Sequence, residues 1–570
     1  MMSSKTTKKI KPLTKDSNRH PSSPPPPAPA PVAAPAPAPP PVTVISIPDE
    51  EGGPPLNGIN IVPDGDVVLD VTFDLSKETL KAARKANAIS IRPRPKSASQ
   101  QPVPAQPALK TNTRFLYRAH LSTLKQHSKY FTSLLGDPRF AEAKAVTAAF
   151  EKLGLDGTKP SKADIKDLPR VKIGIDDEAT QLAGQEAVFG DLLRLLHGQV
   201  MMTDPLSLAY LSTLAVLADR FGCAEPVGKS LHGQLKFKSF KWPATQVRLA
   251  REEDGVALTR AAEDLLRQKI NVSWLLDLPL RFQKATGELI MYGSRQWKDD
   301  EDEEDLESNA AAWWYLPDEL EDELKYRRTC ILNTIASIPQ HFIALYSGTS
   351  PSRTRQCKLG YDSSASCDSY QLGETLKFLL KRNLVTLSYF SSPFSLPLSD
   401  HSTTEITHLL AVLKQFPGYQ IDKNHTNCGP RTRLKPILDF MTPMVSHKSV
   451  SITRQDWVKR RDQVSWLFSS EHTNSSSFED APEGKLREGD RDPMPLPKPM
   501  LVNGKFQPLP SPLSFSASTT RVDEGKRKKF AFTRSMAGDQ RLRFEGSMGA
   551  DRLVRGLFTA DEWDWTPDDS

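Results

Sequence analysis

Four side chains in the second half of the chain have the chemistry of metal ligands. Cys357 and Cys367 bracket the stretch CKLGYDSSASC, and His425 and Cys428 bracket HTNC. Thiolate sulfur and imidazole nitrogen are the donors zinc prefers, and four of them complete a closed tetrahedral structural site. Such a site would hold a loop-rich segment to neighbouring helices without a large apolar core. H-x-x-C is a ligand-pair spacing, whereas the spacing from Cys357 to Cys367 is loose and a long stretch of chain separates the two pairs. The alternative is that these thiols are small apolar groups. Cys223 and Cys330 lie inside helical apolar patterns and belong to the core on this reading.

A second stretch, FLYRAHLSTLKQHSKYFTSLL (115–135), sets His120 and His127 among hydroxyls. A catalytic histidine needs a neighbouring nucleophile and a carboxylate to orient it. Ser122, Ser128 and Ser133 are present, but no Gly-x-Ser-x-Gly turn surrounds any of them. The stretch reads instead as a strand entering a helix, with His120 buried and hydrogen-bonded and His127 towards solvent. Leu124, Phe131, Leu134 and Leu135, with Ser128 between, form one apolar stripe at helical spacing. Other enzyme signatures fail. GLDGTK (154–159) lacks the phosphate-loop spacing, and neither H-E-x-x-H nor a dinucleotide glycine fingerprint occurs. The acidic run DDEDEEDLE (299–307) is solvated and has no means of raising one carboxyl pKa. The chain is expected not to be an enzyme.

The elements that position these residues follow from composition and periodicity. Hydrophobic residues make up 38% of the 570 and prolines number 47, so part of the length is expected to be disordered. Residues 1–58 form a polar, then proline-rich tail; PPPPAPAPVAAPAPAPPP favours polyproline II, as a spacer or as a ligand for a proline-binding groove. Its prolines forbid a spanning helix, and the start of the chain has no apolar secretory segment. Alternation through Val67, Leu69, Val71 and Phe73 predicts a strand; RFLYRAH and RVKIGID predict two more. Residues 76–113 and 141–168 read as long insertions on loops. Helices follow at QEAVFGDLLRLLHG and DPLSLAYLSTLAVLADRFGC, then as a helical extension over 227–345 and a helical, cysteine-containing region over 346–445. Residues 446–570 read as a mostly disordered tail with one short helix at RQDWVKRRDQVSWLF. The fold class is therefore α/β (α+β).

The order strand, strand, helix, strand, helix, helix over 59–226 resembles a BTB/POZ domain, a small sheet flanked by helices. The matching residues are Asp66 in GDVVLDVTF, then Ala119-His120, Leu124, Ser128, Tyr130-Phe131 and Leu134, with VKIGIDDE as third strand. LLHGQ and LAVLADRFGC look most like the fungal branch, in which a helical, cysteine-containing region follows. The resemblance implies a core place for His120, Leu124, Ser128 and Phe131. It also implies protein partners, self-association as a homodimer, and service as an adaptor for a cullin-type ubiquitin ligase. In many members a basic residue follows the histidine and pairs with the first-strand aspartate. Leu121 stands there in this chain, so Asp66 is expected to lack that partner.

Charge and cysteine usage bound the rest. The net charge of +6 is small and is not a nucleic-acid footprint, and five scattered cysteines do not make a disulfide framework. Reduced thiols point to the cytoplasm or the nucleus. KRKK (526–529) is either an import signal, favouring a nuclear transcription-associated regulator, or a solvated run. FTADEWDWTPDD (558–569) is either a docking motif that orders on binding or an end that packs back on its own domain.

Overall fold

The structure is a computed structural model of the full chain. It describes residues 44–47, 56–90, 111–203, 206–237, 242–243, 258–297, 311–348, 355–382, 384, 404–468, 528–539, 541 and 549–566. β-branched and aromatic residues build the strands β1 (Val44–Ile47), β2 (Leu56–Asn60), β3 (Val67–Asp74), β4 (Asn112–Ala119) and β5 (Arg170–Asp176). They form one sheet in the order β1-β2-β4-β3-β5. β3 and β4 are antiparallel, from Val67 opposite Ala119 to Asp74 opposite Asn112, and β5 runs parallel to β3 on its other side. β2 is parallel to β4, and β1 is antiparallel to β2. The three expected strands are thus β3, β4 and β5, and two more come from the segment read as a tail.

Both expected loop insertions carry helices. Residues 76–113 include α1 (Lys77–Ser90), and residues 141–168 include α4 (Ala141–Leu155). Their composition explains why, since alanine, lysine, arginine and glutamate are strong helix formers. The Ser76 hydroxyl caps α1 by accepting from the Thr79 backbone N–H at 3.2 Å. α4 also alters β3. The expected alternation holds on one face, but Val68 and Asp70 on the other are buried too. Val68 and Leu116 pack with Leu153, Ala163 and Leu168, and the Asp70 carboxylate is gripped by Arg114 through Nε at 2.7 Å and Nη2 at 2.6 Å.

The single helix expected after β4 is two, α2 (Leu121–His127) and α3 (Lys129–Gly136), broken at Ser128. Ser128 has an extended backbone, and its hydroxyl accepts from the Phe131 N–H while donating to the Phe221 carbonyl at 2.6 Å. α5 (Gln185–Leu196), α6 (Leu208–Arg220) and α7 (Ala224–Phe237) complete this unit.

The helical region consists of α8 (Arg260–Leu275), α9 (Pro279–Tyr292), α10 (Leu320–Ser347), α11 (Ser364–Lys381), α12 (Ile406–Lys414), α13 (Arg431–Val445) and α14 (Arg454–Val464). α8 is apolar on two faces. Leu266, Ile270 and Trp274 join the core of the helical region, while Val272 and the C-cap Leu276 join that of the α/β unit. Within the stretch from 446 onwards, read as mostly disordered, the described residues form regular elements beyond the one expected short helix. β6 (Lys529–Ala531) pairs in parallel with β7 (Glu562–Asp564), and a helix spans Ala550–Phe558. Phe530, Phe532, Val554, Leu557, Phe558 and Trp565 are buried in the helical core, and the Trp565 indole donates to the Ser337 hydroxyl at 2.9 Å. The acidic run 299–307 lies outside the described residues, as does the proline-rich stretch of the first tail. Among the described residues, no helix is long and apolar enough to cross a membrane.

Candidate metal centre

The two ligand pairs expected from the sequence meet in space. Cys357 precedes α11, Cys367 lies in its first turn, and His425 and Cys428 lie in the loop that leads into α13. All four are buried, and their ligand atoms lie within 4.8 Å of one another. Cys357 Sγ is 3.8 Å from Cys428 Sγ and 3.4 Å from His425 Nδ1, and Cys428 Sγ is 3.9 Å from the same nitrogen. All five cysteines of the chain are free thiols. These four residues could hold a metal ion.

Local sequence makes the two loops. Gly360 closes the turn after Cys357 with φ at +71°, a region that favours glycine. At Gly429, directly after Cys428, a Cβ would lie 2.4 Å from Gln371 Oε1, so any larger residue there would have to displace the Gln371 amide for the loop to close on α11. Carboxylates hold the backbone on both sides. Asp368 accepts from the N–H groups of Gln356 and Cys357 at 3.0 and 2.8 Å, and Asp422 accepts from those of Asn424 and His425 at 2.8 and 3.0 Å. The Ser363 hydroxyl lies 2.8 Å from His425 Nε2. With Nε2–H donated to Ser363, the Nδ1 lone pair is left facing the sulfurs, as a metal-binding imidazole requires. Further out, the Tyr346 hydroxyl donates to the Cys428 carbonyl, and Arg433 donates to that hydroxyl and to Gln356 Oε1, tying α10 and α13 to the site.

The thiols do not share one electrostatic state. Burial raises the Cys357 thiol, but hydrogen bonds from Ser364, the Leu359 backbone, Cys428 and His425 outweigh it and lower the pKa to about 7. Cys367 is pushed up to about 12 by burial and by the neighbouring Cys428 and Cys357 sulfurs. Cys428 is raised by burial and by Cys357. Unaided, the cluster favours one thiolate and keeps its neighbours protonated. A cation at the centre removes that conflict.

Ser363, Asp368, Asp422, Tyr346 and Arg433 were not anticipated. Two had a readable signal: Asp422 stands in DKNH, where an aspartate accepts from backbone N–H groups two and three residues on, and Ser363 lies in the serine-rich stretch between the two cysteines. Tyr346 and Arg433 had none, since they come from distant helices.

The other anticipated residues have structural surroundings. Leu124 and Phe131 are buried, and Phe131 stacks on Phe221 at 5.6 Å. Asp66 is not without a partner: its Oδ1 accepts from the Leu121 N–H at 2.7 Å, so the residue after the histidine answers it through its backbone. His120 is corrected from buried to half-buried. It sits at the N-cap of α2 with Nε2 3.3 Å from Asp64, and the neighbouring half-buried His197 accepts from the His120 N–H at 3.1 Å. His127 is also half-buried. Of KRKK, Lys529 lies in β6 with its ammonium 3.4 Å from Asp564, and residues 526–527 are outside the described residues. The C-terminal stretch packs back, with Phe558 and Trp565 both buried. No family model, no curated protein and no solved structure matches the chain.

Proposed function

We propose that the chain is a non-enzymatic interaction protein, in which a BTB/POZ-type α/β unit binds a protein partner or a second copy and a structural zinc ion closes the helical region. The interaction half rests on one observation. The strands β4-β3-β5 are antiparallel across β3–β4 and parallel across β3–β5, with the helices α2, α3 and α4 between β4 and β5 and the run α5 to α7 after it. That contains the element order the resemblance implies, with β1, β2, α1, α4 and α7 added and the helix after β4 split in two. The partner class it suggests is a cullin scaffold, with the chain as adaptor. Affinity purification of the full chain with identification of bound proteins tests this. Phe140 and Leu155 are exposed apolar side chains of the unit, so replacing each with aspartate leaves the core intact. Recovery of a cullin scaffold that those substitutions abolish is the expected result; a bound set indifferent to them, with no cullin in it, overturns the reading.

The zinc half is carried by the three short edges of the cluster. A tetrahedral zinc site has sulfur–sulfur edges of about 3.8 Å and sulfur–nitrogen edges of about 3.6 Å. The observed 3.8, 3.4 and 3.9 Å lie within about 0.3 Å of those values. Three thiolates and an imidazole are a soft, tetrahedral donor set, which selects zinc among the common divalent ions. Bound there, zinc would supply a cross-link rather than a reaction centre, because all four positions are protein ligands. Metal analysis of the purified chain should find about one zinc per molecule; protein that is folded and free of zinc removes this half of the reading.

A further inference from the structure

The helix α1 and the residues that follow the acidic run 299–307, from Ala311 on, are anchored at one place on the α/β unit. The start of α1 is held by Asp177, whose carboxylate accepts from the Ser76 backbone N–H at 3.0 Å and from its hydroxyl at 2.9 Å. Two residues further on, the Ala179 carbonyl accepts from the Ala312 N–H at 2.8 Å, and Ala311, Trp313 and Trp314 cluster there with Leu182. The described residues before the run, Ser294 and Trp297, are tied to the same body. Arg267 donates to the Trp314 carbonyl and to the Ser294 hydroxyl, each at 2.8 Å, and Trp297 donates to Glu321 at 2.6 Å.

α1 carries Lys77, Lys81, Arg84 and Lys85, all exposed. Their spacing i, i+4, i+7, i+8 sets them on one face, away from the buried Thr79 and Leu80. No carboxylate among the described residues pairs with any of the four. Glu78 is the one acid in the first turn of this helix. The run 299–307 is acidic at every position but Leu306. Its last acid, Glu307, stands four residues before Ala311, a reach of about 15 Å when extended. The stripe from Lys77 to Lys85 is about 12 Å long. We propose that the exposed basic stripe of α1 is a docking surface for the acidic segment 299–307 of the same chain. Both are tethered within a few residues of Asp177, so the effective concentration is high and the contact is electrostatic and salt-sensitive. This inference is independent of the BTB/POZ and zinc readings.

Zero-length carbodiimide cross-linking of the full chain, followed by peptide mapping, tests it. Lys77, Lys81 and Lys85 should join to carboxylates of 299–307 at low salt, and the yield should fall about fivefold or more in 0.5 M NaCl. The links should vanish when the acids of 299–307 are changed to Asn and Gln. That variant should also bind a single-stranded oligonucleotide about fivefold or more tightly than the parent chain, a gain lost on adding Lys77→Gln, Lys81→Gln, Arg84→Gln and Lys85→Gln. Lys229 and Glu225, 2.7 Å apart, are the internal control for the coupling chemistry. Absence of stripe links while the Lys229–Glu225 link forms overturns the proposal. So does an unaltered chain that binds the oligonucleotide through the stripe as tightly as the neutralised variant, which would make the partner a nucleic acid.

Discussion

At the scale of single residues, the five cysteines separate by surroundings. Cys223 and Cys330 are raised to about 12 and about 11, chiefly by burial among apolar side chains, and have no second thiol to share a ligand with. Cys357, Cys367 and Cys428 sit against one another and against His425. Cys428→Ser should therefore abolish zinc binding and lower the unfolding free energy by about 4 kcal/mol, the scale reached when a metal cross-link is lost. Cys330→Ala should keep its zinc and cost about 1–2 kcal/mol as a small cavity. Metal analysis and urea titration of both variants check the contrast; equal losses would mean the cluster holds no ion. His341 supplies a pH dependence. Burial depresses its imidazole to about 4, more than the neighbouring Asp564 carboxylate restores, and Arg433 adds to the depression. The folded value lies below the unfolded value of about 6.5, so below pH 6.5 the unfolded chain takes up a proton that the folded chain refuses. Stability should fall by about 2 kcal/mol, after allowance for partial exposure, as pH drops from about 6.5 to 4. Urea melts at pH 7 and pH 4.5 should show that loss reduced in His341→Gln; an unchanged difference would assign it to other groups.

At the scale of elements, the C-terminal ribbon bears most directly on how the chain was read. β6, β7 and the helix Ala550–Phe558 carry apolar residues into the helical core, and Trp565 is fully buried between Phe530 and Phe532, with ring centroids 6.1 and 6.0 Å away. Trp565→Ala should cost about 3–5 kcal/mol in urea unfolding; a cost below about 0.5 kcal/mol would fit an exposed docking motif instead. The sequence displayed the elements whose pattern closes within the element itself. The periods of Val67–Phe73, Val171–Ile175 and Leu208–Phe221 each declare a buried face. KFAF and EWDW do not, because three-residue strands hold no period and their partners are α10 and α13, far away in sequence. α1 and α4 were missed for a different reason. The lysine-rich, alanine-rich α1 carries helix propensity that hydrophobic periodicity does not detect, and in α4 the stripe of Val146, Phe150 and Leu153 is diluted by alanine, lysine and glutamate. For the metal centre, the ligands were legible from residue type. Ser363 and Asp422 act over a few residues, while Tyr346 and Arg433 act only through the fold.

At the scale of the whole molecule, joints between units set the behaviour. α8 contributes Leu266, Ile270 and Trp274 to one core and Val272, with its C-cap Leu276, to the other, so the α/β unit and the helical region share a helix rather than meet at a polar interface. Buried cations fasten the same body. Arg327 pairs with Glu323 at 2.6 Å and also donates to the carbonyls of Ser449, Val450, Ser451 and Val464. These bonds hold the segment 449–464 against α10, and removing one partner of the pair would leave an uncompensated buried charge. The ribbon is held in the same way, for Arg555 donates to the carbonyls of Gln463 and Ser465. The described residues of 528–566 are thus bound to the rest of the chain by an apolar interface and by hydrogen bonds, not merely by the connection through 469–527. A protease site placed within 469–527 tests this without touching any described residue. After complete cleavage, the fragment beginning near 528 should co-elute with the remainder on size exclusion and separate only in denaturant. Trp565→Ala should release it. Separation of the unsubstituted fragment under native conditions would show that the ribbon stays in place only through its covalent link.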